Sequence, residues 1–416
     1  MRCTKIQATL GPASSDEDTI LRMVEAGMDG CRINMSHGSH ESARRLIAAV
    51  RRASREAGRP IAVGADLRGP KLRIGDVAGG SVSLREGAVF HLTPEDRLSD
   101  VQVASVDYPY LLEDVRPGDP VLLNDGALRL RVEEVRRDTV VCRVEKGGEL
   151  TSRKGVNLPG VQLRVPSLTQ KDLHDMAFAV EAGVDFLFLS YAKSGEHVRT
   201  ARAALSRLGA PLPLVAKIER QEGADALADI VEAADGVCIA RGDLGIETPL
   251  GAVPDIQSEA AALCRKAGKF AMVGGQVLAS MVSSPTPLRA EVTDLVVIVR
   301  DGLDAVVLSD ETAAGSYPVE AVRVAAEVLS RAEGVDRRPP RECGPWVGTG
   351  TPEMAGVLVS RNARAAELLA ASRRFSPLVV GVGSPRLANW LSTWWGVNPE
   401  VVADRPDPRD AARRAL

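Results

Sequence analysis

Aromatic side chains are scarce in this 416-residue chain, at 3% of all positions. With so few large rings, Val, Leu, Ile and Ala must fill any core, which suits buried strands and amphipathic helices. The six cysteines (Cys3, Cys31, Cys142, Cys238, Cys264, Cys343) are scattered and form no CxxC pair. That argues against a zinc site or a disulfide framework and for reduced thiols in a cytoplasmic protein. The five histidines show no metal-ligand spacing,. No apolar run approaches the ~18 residues that a membrane span needs, and the opening MRCTKIQATLGP has no signal-peptide layout,; no membrane partner is expected. A formal charge of −3 leaves no basic footprint for nucleic acid,.

What is present is a recurring local pattern, in a chain long enough for two or three domains. A helix ends in a small-residue turn, an Asp follows, and a buried apolar run begins: EAGMDGCRINM (25–35), EAGVDFLFLS (181–190), EAADGVCIA (232–240) and RDGLDAVVLS (300–309),. Helix starts are marked by Ser14 with Glu17, in capping-box spacing, and by Ser194,. Collecting the apolar runs predicts eight strands, at 5–10, 30–35, 61–67, 185–191, 213–218, 236–240, 270–275 and 305–309. Eight βα units predict a (β/α)8 TIM barrel, formed by residues 1–74 and 158–334. Residues 75–157 alternate instead, as in LRLRVEEV (128–135), with turns at PGD and NDG, and predict an inserted small β-barrel lid domain,. After a linker at DRRPPRECGP (336–345), residues 345–416 hold strands at 376–383 and 399–404 and a helix between them. They predict a partial C-terminal α/β domain, in which Trp390, Trp394 and Trp395 pack against the barrel or a sister subunit,.

Barrel chemistry sits at the carboxyl ends of the strands. Those ends carry Thr9; Arg32, Asn34, Ser36 and His37; Asp66, Lys71 and Arg73; Ser190; Lys217 and Glu219; Arg241 and Asp243; Gln276; Ser309 and Glu311. A rim residue here or there is ordinary, but polar side chains at nearly every strand end predict a site. Glu219 and Asp243 suit Mg2+ (or Mn2+), which takes one or two carboxylates plus substrate oxygens and water. Arg32 and Arg73 suit phosphate oxygens. Lys217 is placed to neutralise a transferring phosphoryl group. The backbone of ARGDLG, turning from strand into helix, can offer N–H groups to a carboxylate. Together these predict an enzyme for a phosphorylated small carboxylic acid.

The stretches TKIQATLGPASS, EAGMDGCRINMSHGSH, ADLRGPKLRIG, KGVNLPGVQLRVPSLTQKD, AKIERQEG, CIARGDLGIE and VLSDETAAGSYPVEAV, in this order, resemble the pyruvate kinase family over roughly residues 1–334. The resemblance implies a mobile lid over a barrel and transfer of a phosphoryl group between phosphoenolpyruvate and ADP, giving pyruvate and ATP. It also implies a homo-oligomer, dimer or tetramer. By position it implies that Lys217, Arg32 and Arg73 are catalytic, and that Glu219 and Asp243 bind the metal. Ala240, Arg241, Gly242, Ser190 and Gly275 would line the substrate pocket. Thr9, Asn34, His37 and the lid's Lys154 would approach the nucleotide, and Asp125 would approach the site as the lid closes.

The departures from the family pattern carry their own expectations. Leu67 follows Asp66, and Lys71 stands where members needing a monovalent cation have Glu; this resembles the branch in which K+ is not required, a fixed ammonium replacing the ion,. Gly275 replaces a threonine that serves proton delivery, and Asp310 replaces a glycine. A paralogue acting on another enol phosphate, oxo acid or acceptor is therefore one alternative; a non-catalytic binding protein is another. SRNARAAELL (360–369) resembles the family's effector-binding segment only loosely, so no sugar-phosphate activation is expected.

Overall fold

The computed structural model describes residues 2–335, 356–359, 363–372 and 378–401. Its centre is a closed barrel of eight parallel strands: β1 Lys5–Leu10, β2 Gly30–Asn34, β3 Ala62–Asp66, β4 Phe186–Leu189, β5 Leu214–Ile218, β6 Gly236–Ala240, β7 Phe270–Gly274 and β8 Ala305–Leu308. They run in sequence order round the ring, and β1 closes on β8 with Lys5 opposite Ala305. β4, β6, β7 and β8 are unbroken apolar runs, and the other four are buried along nearly their whole length, because helices cover the outside and side chains fill the inside,. β4 ends short of the expected 191. Tyr191, at φ 55°, turns out of the strand and gives its N–H to Glu219 at 2.6 Å.

The recurring aspartates have a common task. Asp29, Asp185, Asp235 and Asp304 precede β2, β4, β6 and β8, and each carboxylate accepts a backbone N–H from the strand before. The donors are Ile6 (2.9 Å), Val63 (2.7 Å), Leu214 (2.8 Å) and Ala271 (2.8 Å). These N–H groups, at the first or second residue of each odd strand, would otherwise be buried without a partner. Arg2, Arg51 and Arg202 pair with Asp29, Asp185 and Asp235 at 2.8, 2.9 and 2.9 Å. These bonds pin the floor of the barrel, opposite its mouth.

The helix Glu17–Ala26 is capped by Asp16, which accepts from Thr19 N at 2.8 Å. Ser14, expected as the cap, closes the preceding turn by accepting from Gly11 N at 3.2 Å. Ser194 caps Gly195–Arg207 as expected.

Between β3 and β4 lies a β-rich lid. Its main sheet has six strands, in the spatial order Val156–Asn157, Pro120–Leu123, Leu128–Val135, Val140–Lys146, Val89–Thr93 and Val103–Ser105. Ser81–Leu84 pairs separately with Gly148–Thr151. The lid has its own apolar cluster, running from Leu72 to Leu163.

Three parallel strands, β9 Gly356–Val359, β10 Leu378–Val382 and β11 Val397–Val401, form the C-terminal layer with β10 in the middle. β9 had no counterpart among the expected strands; the linker at 336–345 lies outside the described residues. Trp390 packs on Phe186 and Phe270, with ring centroids 5.4 and 5.7 Å apart, and Trp394 on Phe270 at 5.8 Å. Both phenylalanines open barrel strands, so the tryptophans seal the floor. Lys5 Nζ reaches across to the Val397 carbonyl at 2.9 Å.

Candidate active site

Strand register assembles the mouth. Thr9 of β1 lies level with Arg32 of β2, Asn34 of β2 with Asp66 of β3, and Lys217 of β5 with Cys238 of β6. The hub is Asp66, 2% exposed. Its Oδ2 accepts from Arg32 Nε at 2.6 Å and from Lys217 Nζ at 3.3 Å, and its Oδ1 from Ser190 Oγ at 3.2 Å. Lys217 Nζ also donates to Ser190 Oγ at 3.0 Å and pairs with Glu219 Oε1 at 2.7 Å. Arg32 reaches Thr9 Oγ1 at 3.2 Å. Thus Lys217, Glu219, Arg32, Ser190 and Thr9 come together, on an aspartate to which sequence reasoning gave no role.

Burial opposes the charge on Lys217, but Asp66 and Glu219 outweigh it and hold the ammonium above the usual lysine range,. Glu219 is pushed above the usual carboxylate range, first by burial; Lys217 pulls the other way, while Asp243 and Asp66 add to the rise. Lys71 is likewise opposed by burial, yet Asp243 and Asp125 hold it above the ordinary lysine value. Its Nζ lies 3.2 Å from Asp243 and 3.5 Å from the lid's Asp125. Three carboxylates (Asp66, Glu219, Asp243) therefore face three cations (Arg32, Lys217, Lys71).

That balance bears on what can bind. Among the described residues no group of three or more His, Cys, Asp or Glu side chains forms a full metal cage. Glu219 and Asp243 supply two carboxylates, the donor set of an ion that takes its other ligands from water and substrate, as Mg2+ does. A phosphate drawing off the cations would free those carboxylates, so cation and phosphate should bind as partners.

Other candidate residues lie around this core. His37 is held below the usual histidine range by burial and by Arg73, Arg68, Lys71 and Arg32, so it neighbours a cationic cluster suited to phosphates. Asn34 Oδ1 accepts from Ser36 N at 3.0 Å, shaping the turn after β2. Arg73 is turned to the lid, donating to the Arg153 carbonyl at 2.9 Å. Lys154, next in the chain, is exposed.

Arg241 has a different use from the ligand-facing one its charge suggested. Its guanidinium forms a double ion pair with Asp294 (2.8 and 2.7 Å) and donates to the Gly275 carbonyl (3.3 and 3.2 Å). Only its backbone faces the mouth. The helix Arg241–Glu247 follows Ala240 directly, and first-turn N–H groups have no partner within a helix. Gly275, at φ 91°, lies against them: a Cβ there would sit 2.6 Å from Gly242 N and 3.3 Å from Arg241 N. The glycine therefore opens no extra room for a larger substrate. Asp310 is exposed at the start of Asp310–Ala313, and Glu311 is structural, accepting from Leu278 N and Ser309 N at 3.0 and 2.7 Å.

At the base of the lid, Arg220 donates to the Leu158 and Val161 carbonyls at 3.3 and 3.0 Å and pairs with Glu247 at 3.4 Å. Glu247 in turn accepts from Asn157 at 2.7 Å. This tie between lid and barrel had no sequence signal beyond the charges themselves.

Comparison with known proteins agrees with the geometry. Residues 1–322 match the family model described as pyruvate kinase, barrel domain. The whole chain is 38% identical to a pyruvate kinase of Corynebacterium efficiens, covering 90% of it, and 35% identical to pyruvate kinase 2 of a Synechocystis strain, covering 73%. A pyruvate kinase of Mycobacterium tuberculosis is 36% identical over 96% of this chain and 87% of its own length.

Proposed function

From the premise that this chain belongs to the pyruvate kinase family, we propose that the mouth residues described above carry the family's reaction. The protein is a phosphotransferase that uses a divalent metal and moves a phosphoryl group between phosphoenolpyruvate and ADP, giving pyruvate and ATP. The bond between phosphorus and the enol oxygen breaks, a bond to a terminal oxygen of ADP forms, and the enolate left behind takes a proton.

The observation that carries this assignment is the fixed ammonium of Lys217, held by Ser190, Asp66 and Glu219. Charge in phosphoryl transfer spreads over the equatorial oxygens, and a preorganised cation there needs no reorganisation as it develops. Arg32, with Arg73 once it leaves the Arg153 carbonyl, holds phosphate oxygens. Backbone N–H groups of Arg241 and Gly242 hold the substrate carboxylate, with Ala240, Ser190 and Gly275 lining the pocket. Thr9, Asn34, His37 and Lys154 face the nucleotide. Glu219 and Asp243 would hold Mg2+ (or Mn2+), which would supply positive charge to the phosphate oxygens.

Lys71 takes the place of a monovalent cation, and its pairing with Asp243 supports that reading. A homo-oligomer, dimer or tetramer, is part of the same proposal. No described helix is long and apolar enough to cross a membrane; a cytoplasmic location belongs to this proposal.

The test is a coupled assay of ATP formation from phosphoenolpyruvate and ADP with Mg2+ and no K+. Turnover is expected, with no strong activation on adding KCl. Strong K+ activation would remove the role given to Lys71. Thermal stabilisation by phosphoenolpyruvate and Mg2+ without any turnover would favour a binding protein instead.

A further inference from the structure

A cavity of about 290 Å3 lies where the lid meets the barrel, beside the mouth, with which it shares Lys71 and Arg68. Three pieces of chain enclose it: Arg68–Leu72 leaving the barrel, Asp107–Tyr110 of the lid, and Arg164–Thr169 returning. Four cations line it against one carboxylate. Three of the cations are already engaged: Lys71 by Asp243 and Asp125, Arg164 by Glu113 and Asp114, Lys171 by Asp175 and the Met35 carbonyl. The carboxylate, Asp107, accepts the Arg73 N–H. Arg68 is half-buried and makes no hydrogen bond or ion pair with any described residue. Its charge reaches the Asp107 carboxylate only at longer range, so this half-buried guanidinium lacks the direct ion pair that each cation beside it has.

The walls are flat and apolar. Tyr108 and Tyr110 stand edge to face with centroids 6.0 Å apart, and the Arg164 guanidinium lies over the Tyr110 ring at 4.4 Å. Prolines at 70, 109 and 166 complete the walls. The volume is at the lower end of small-molecule sites, which limits a ligand to about one ring.

We infer that this cavity is an effector site for a small anion on a flat apolar body, an aryl phosphate ester or aryl carboxylate, with Arg68 as the anion contact. Such a ligand touches the outgoing segment, the lid and the returning segment together, so it restrains the lid relative to the barrel. The inference is independent of the reaction assigned to the mouth, and its test does not need turnover.

The probe is phenyl phosphate, titrated calorimetrically into the full chain with the mouth saturated by phosphoenolpyruvate and Mg2+ in the absence of ADP. Saturable binding is expected, with slower backbone hydrogen exchange across the lid. Arg68→Met should weaken it about tenfold or more, Arg68→Lys by less, and Tyr110→Ala by about threefold. Should Arg68→Met fail to fold, Arg68→Lys and Tyr110→Ala keep the test open. The inference falls if no saturable binding occurs, if the variants bind like the parent, or if phosphoenolpyruvate displaces the probe. It also falls if inorganic phosphate binds as tightly as phenyl phosphate, because the flat body would then count for nothing.

Discussion

The floor of the barrel holds four aspartates, three of them buried (Asp29, Asp185, Asp304), and its mouth holds Asp66, Glu219 and Asp243. At the floor each carboxylate accepts a backbone N–H from the neighbouring strand, in one arrangement repeated four times. At the mouth no two carboxylates have the same surroundings, and the cations paired with them are the side chains of Arg32, Lys217 and Lys71. A bond to the backbone is fixed once the sheet forms. A bond to a side chain can be exchanged for one to a ligand. The same residue types thus serve permanence at one end and replaceable charge at the other.

The largest effect that would sharpen this contrast is at the mouth. Lys217→Met should lower kcat in the coupled assay by about 10³-fold or more, the scale of losing a preorganised group at developing charge. A loss below tenfold would mean that Lys217 is as structural as the floor residues. Next comes the floor: Asp185→Ala leaves the Val63 N–H and Asn389 without their acceptor and Arg51 without its anion. It should cost about 3 kcal/mol in denaturant unfolding while the kcat of the folded fraction holds. A selective fall in kcat would break the division of labour.

The smallest effect is one of pH. Burial opposes ionisation of Asp29, but Arg2, Lys5 and Arg59 outweigh it, so its carboxyl lies below the usual range when folded. A depressed carboxylate adds stability above its unfolded pKa of about 3.9 and loses it as the pH falls through the folded value. The stability gap between parent and Asp29→Asn should therefore be steady near neutrality and shrink below about pH 4. A gap that persists unchanged in acid would show that the bond matters for its shape and not its charge.

How much of this was legible in the sequence depends on the range of each interaction. The barrel strands were, because burial on both faces writes itself as continuous apolar runs such as FLFL and GVCIA. The four aspartates were visible as a repeat, yet their purpose was not, since the N–H each one accepts belongs to an earlier strand. The hub role of Asp66 was hidden for a like reason: Lys217 is 151 residues away. Arg241 looked like a ligand contact until Asp294, 53 residues on, took its guanidinium. At short range the error was one of competition: Asp16 and Ser14 are both good caps, and the turn at Pro12–Ser14 claims the serine. The strand Gly356–Val359 is as short as FLFL, but it lacks the helix end, turn and Asp that announced several barrel strands.

The lid interrupts the chain between β3 and β4, and these are the two strands that Asp185 and Val63 clamp together at the far end of the barrel, across 122 residues of sequence. A swinging insertion acts on its two anchor strands like a lever on a pair of hinge posts. Here the posts are bolted at their feet, and Asn389 of the C-terminal layer braces the same carboxylate at 3.1 Å. Any swing of the lid would therefore not pry its neighbours apart, and the leverage would end in the foundation, away from the charged cluster it covers.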